Sequence, residues 1–116
     1  MGKSAYDRIN ESLQGQIYSV PGHGELRFLL YWQTIPDLVT KRSYDFRFLD
    51  LTSRPIVPVD YSPRDLLDIR EIDISTLKAL NLDVERDLLE FLQTARTSWP
   101  NDIGKLVIPK ELDVKQ

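Results

Sequence analysis

Two strand-like runs, residues 26–33 and 44–51, constrain this chain more than any other stretch, and between them they hold most of its aromatic side chains. In the second run Tyr44, Phe46 and Phe48 alternate with Asp45 and Arg47, the period of two that a half-buried strand requires. In the first, Leu26, Phe28, Leu30 and Trp32 share one face of a strand, and Leu29 and Tyr31 share the other. A strand apolar on both faces reads as central, with a cover needed on each side.

The flanking segments supply candidate partners. Residues 4–14 read as a helix: Ser4 is placed to cap it, Asp7 lies in the first turn and Gly15 follows as a stop. Its narrow stripe of Tyr6, Ile9 and Leu13 suits a helix leaning on the sheet edge. Residues 16–20 form a short strand, and Pro21, Gly22, His23 and Gly24 turn it tightly into the central one. Beyond residue 51, Pro55 and Pro58 limit residues 56–59 to an edge strand or an extended crossing.

Ser62 and Pro63 then open a helix over 64–70, with a second short helix at 75–80. The clearest helix spans 83–96, where Val84, Leu88, Phe91, Leu92 and Ala95 fall on one face. A turn-rich run around Trp99 leads to Leu106, Val107 and Ile108, a compact apolar run that reads as a last strand. Residues 1–109 therefore make one α+β domain, with 110–116 as a frayed tail. Its expected architecture is a three- to four-stranded antiparallel sheet with an N-terminal helix and C-terminal helices packed on one face.

Composition narrows the function. At 116 residues, 41% hydrophobic and 28% charged, the chain can fold around one ordinary core. It has no cysteine, which removes disulfides, thiolate metal sites and a cysteine nucleophile. Its opening residues lack a signal-peptide pattern and no apolar run approaches the ~20 residues that span a bilayer, so the expected location is cytoplasmic with no membrane partner. The net charge is −3, and acids outnumber bases between residues 60 and 90, where phosphate backbones would be repelled.

Catalytic patterns are sparse. His23, the one histidine, sits between glycines and reads as a solvent-exposed turn residue. Asp65, Asp68 and Glu71 would share a helix face able to meet a hard cation, but they lack a calcium-loop pattern and have Arg64 and Arg70 among them. Gly22 and Gly24 precede a strand and present no helix N-terminus to a phosphate. No catalytic, cofactor or metal residue is assigned.

The reading that remains is a non-enzymatic interaction module, binding another protein or itself through an aromatic and apolar sheet face with its adjoining loops. Its candidate contact residues are Tyr31, Ile35, Leu38, Val39 and Trp99. For the loop after the central strand, the plainer expectation tucks Ile35, Leu38 and Val39 under the sheet rim; the functional one exposes them as a docking tip. The alternative is a single-stranded nucleic-acid binder using Arg27, Arg42, Tyr44 and Arg47. A small enzyme or ligand-binding protein with a pocket under the sheet is the weakest reading.

Overall fold

A computed structural model describes residues 4–22, 24–40, 42–80, 82–112 and 114. The central strand is β2 (Leu26–Pro36), flanked by β1 (Ile17–Pro21) and β3 (Tyr44–Asp50). Outside them lie β4 (Val57–Tyr61) and β5 (Arg70–Ile72), and all five strands pair antiparallel in the order β4-β3-β2-β1-β5. Pro58 sits opposite Leu49 on edge strand β4, where its missing N–H leaves no ladder bond unmade on the open side.

The sheet thus has one strand more than the upper expectation of four. Ser62 and Pro63 do open a helical turn, but it is a 3₁₀ turn that spans only Pro63–Leu66. The chain then extends as β5, pairing Glu71 with Tyr18 of β1. Three residues are too few to display an alternating pattern, so the sequence conceals this strand. The run at 106–108 forms no strand. Leu106 and Ile108 instead pack against the core from outside regular structure.

Both faces of β2 are covered. On one, Phe28, Leu30 and Trp32 meet Leu49 and Leu51, and α2 (Ile74–Lys78) and α3 (Val84–Ser98) close over them with Leu77, Val84, Leu88, Phe91 and Ala95. On the other, Leu29 and Tyr31 join Val20 and Phe48, with Leu13 of α1 (Ala5–Leu13), Leu66 and Ile69 packed against them. The Phe48 ring is the hub of this second layer, edge-on to Tyr18, Tyr31 and Tyr61 within 6.0 Å. Beyond Pro109, where polarity suggests a loose tail, Leu112 is only 4% exposed and packs into the α3-side core.

α1 has a second task. β1 pairs with β2 only as far as Leu30, so among the described residues the rest of that edge of β2 has no neighbouring strand. A bare ladder edge inside a fold must find other partners. Asn10 provides them: its Oδ1 accepts the Thr34 backbone N–H at 2.7 Å and also the Tyr31 hydroxyl. The Tyr31 N–H donates to the Gln16 carbonyl at 3.1 Å, and its hydroxyl also lies 2.9 Å from Thr34 Oγ1. Burial pushes the Tyr31 phenol pKa up, so it remains a neutral donor. α1 is fixed at its start by reciprocal bonds between Ser4 and Asp7, and the chain leaves it through Gly15 at φ +74°.

If both faces of β2 carry the fold, truncating either cover is severe. Phe48→Ala is expected to destabilise the protein by about 3–5 kcal/mol and Leu88→Ala by about 2–5 kcal/mol in urea unfolding. A loss below about 1 kcal/mol from either would show that its face is not packed.

Candidate functional site

β2 and β3 remain paired out to Pro36 and Tyr44, so the connection between them starts beyond the body of the sheet. Asp37 closes it. Its N–H donates to the Ser43 carbonyl at 2.9 Å, and its Oδ1 accepts the N–H groups of Val39 at 2.8 Å and Thr40 at 3.2 Å. The Ser43 hydroxyl reaches Asp37 Oδ2 at 3.3 Å. An aspartate bonding backbone two residues ahead makes a compact turn from residues that would otherwise wander. Those backbone bonds, Thr40 first and Val39 next, hold the Asp37 carboxyl below its ordinary pKa.

This turn overturns the tucked-loop expectation. Leu38 is 84% and Val39 91% exposed, and only Ile35 is half-buried. The turn is closed too tightly to let the two side chains fold back beneath the rim. Of the other candidate contact residues, Tyr31 is 1% exposed within the α1-side layer. Trp99 is half-buried on the α3 side, stacked on Phe91 and edge-on to Trp32. Ile35, Leu38 and Val39 therefore gather at the end of the β2–β3 hairpin, while Tyr31 and Trp99 lie on opposite sides of the sheet.

The basic residues are also divided. Arg47 shares the Trp32 face, 6.0 Å from that ring, and grips Asp60 through bonds of 2.8 and 3.0 Å, with Asp102 at 3.9 Å. The Asp60 bonds raise its pKa further above the ordinary guanidinium value. Tyr44 faces the other way, against Tyr6 and Phe46. Arg27 is 3.6 Å from the buried Asp50, and Arg42 is exposed on the loop.

A groove of about 260 Å³ lies beside the tip, walled by Tyr18, Tyr44, Phe46, Leu66 and Ile69 and floored by Phe48. The alternation of residues 44–48 shows its β3 wall in the sequence. Its opposite lip is hidden there, because residues 64–70 read as helix and the 3₁₀ turn that brings Leu66 and Ile69 over the sheet is local geometry.

Among the described residues, no group of three or more His, Cys, Asp and Glu is placed to hold a metal ion. Asp65 accepts from Ser62, and Glu71 lies on β5, so Asp65, Asp68 and Glu71 do not share the helix face their spacing suggests. His23 lies outside the described residues.

The Asp37 turn makes a pH prediction. Because its pKa is depressed, its bonds to Val39 and Thr40 are complete above the ordinary carboxylate range and are lost as pH falls through the lowered value. The amide signals of Val39 and Thr40 are expected to titrate with a midpoint below that of an ordinary aspartate, and to stop titrating in Asp37→Ala. A midpoint at or above the ordinary value contradicts the turn.

The chain matches no family model, no curated protein and no solved structure.

Proposed function

We propose that this chain is a cytoplasmic, non-enzymatic protein-interaction module that docks on another protein through the tip of its β2–β3 hairpin. One observation carries the reading: Leu38 and Val39 stand almost wholly in solvent on a turn built by four hydrogen-bonding contacts to Asp37. An exposed apolar pair on a floppy loop loses much of its binding energy to ordering, whereas a pre-formed turn has already met that cost. Burying each side chain in a partner is worth about 1.5–3 kcal/mol.

The neighbourhood supports the same use. Tyr44 follows the loop directly, and with Phe46 it extends the apolar surface along the groove. Such half-buried aromatics are the side chains on which interfaces concentrate their energy. The nucleic-acid reading draws less support, since Arg47 is engaged by Asp60 on the face away from Tyr44.

A photo-crosslinking residue at Val39, in cells that express the protein, tests the proposal. The expected result is a discrete adduct with one protein, lost when Leu38→Asp is added; an adduct of twice the chain mass would make the partner a second copy. Adducts that are equally strong and equally diverse with Leu38→Asp contradict docking by the tip.

A further inference from the structure

A cavity of about 380 Å³ opens where α1 lies across the uncovered edge of β2. Its α1 wall carries Asp7, Asn10 and Glu11, Trp32 and Gln33 come from β2, and Lys105 stands on the 3₁₀ turn Ile103–Lys105. Strict alternation along β2 would send Gln33 into the apolar layer with Tyr31. A bulge between Tyr31 and Gln33 prevents this, pairing Gln33 with Arg47 and turning it to the Trp32 face.

Gln33 is only 5% exposed, yet among the described residues no group hydrogen-bonds its carboxamide. Neither carboxamide atom is sealed from solvent, so the amide opens into the cavity that Gln33 lines. Asn10 commits its oxygen to Thr34 and Tyr31, which leaves its NH₂ as a further donor beside the same space. Buried polar groups are normally paired, and a bulge that re-aims one into a cavity is a feature of ligand sites.

We propose that this cavity binds a small zwitterion of the free amino-acid class. On the α1 wall the Asp7 carboxylate, through the oxygen that does not bond Ser4, suits its ammonium, Lys105 suits its carboxylate, and the Gln33 and Asn10 amides suit a polar group between them. Val107, 39% exposed and lining the same cavity, offers an apolar contact for the carbon skeleton. The site is independent of the hairpin tip, so binding is expected to persist in the Leu38→Asp chain.

Titrating the isotope-labelled full chain with each proteinogenic L-amino acid, while following the Gln33 carboxamide signal by NMR, tests this. At least one amino acid is expected to move that signal saturably. Its N-acetyl and methyl-ester forms, and the parent amino acid on Lys105→Gln, are expected to bind at least about tenfold more weakly. The proposal is overturned if no amino acid moves the signal, or if both charge-blocked forms bind as well as the parent.

Discussion

The structure depends on how one length mismatch is resolved. β2 runs for 11 residues, but its neighbour β1 has only 5, so the far half of the central strand has a bare edge. Asn10 closes that edge by offering one side-chain oxygen where a neighbouring strand would offer a carbonyl. Both surface features arise from the overhang. Its uncovered edge, bridged at a distance by α1, leaves the polar cavity; its far end carries the β2–β3 connection clear of the sheet and makes a protruding tip.

Burial of β2 from both sides sets the second constraint. Each face takes a different kind of cover, α3 with α2 on one and the α1–3₁₀ layer around Phe48 on the other. Charge helps hold the first: Arg54, on the loop after β3, places its Nε 2.7 Å from the Asp87 Oδ2 of α3. That contact is not aligned as a hydrogen bond, and Asp87 is buried, so the pair serves better to fix where α3 sits than to add net stability.

The strands with a long enough pattern were legible in the sequence. Residues 26–33 and 44–48 announced β2 and β3, the 83–96 periodicity announced α3, and Ser4 with Asp7 announced the start of α1. β5 was not, because three residues carry no period and the Ser62-Pro63 signal pointed to a longer helix than the 3₁₀ turn that forms. The hairpin tip was legible only in part: the apolar residues at 35–39 were visible, but whether they fold under the rim depends on Asp37 closing the turn. Gln33 gave no signal at all, since a bulge shifts register without changing composition.

Amide hydrogen exchange at Thr34, in the native chain and in Asn10→Ala, tests the closed edge most directly. The Thr34 amide is expected to be protected in the native chain and to exchange much faster in Asn10→Ala, while Phe28, whose N–H is bonded to Thr52, is unchanged. A Thr34 amide that exchanges as fast as the loop amides in the native chain, or that stays protected without Asn10, would contradict the closed edge.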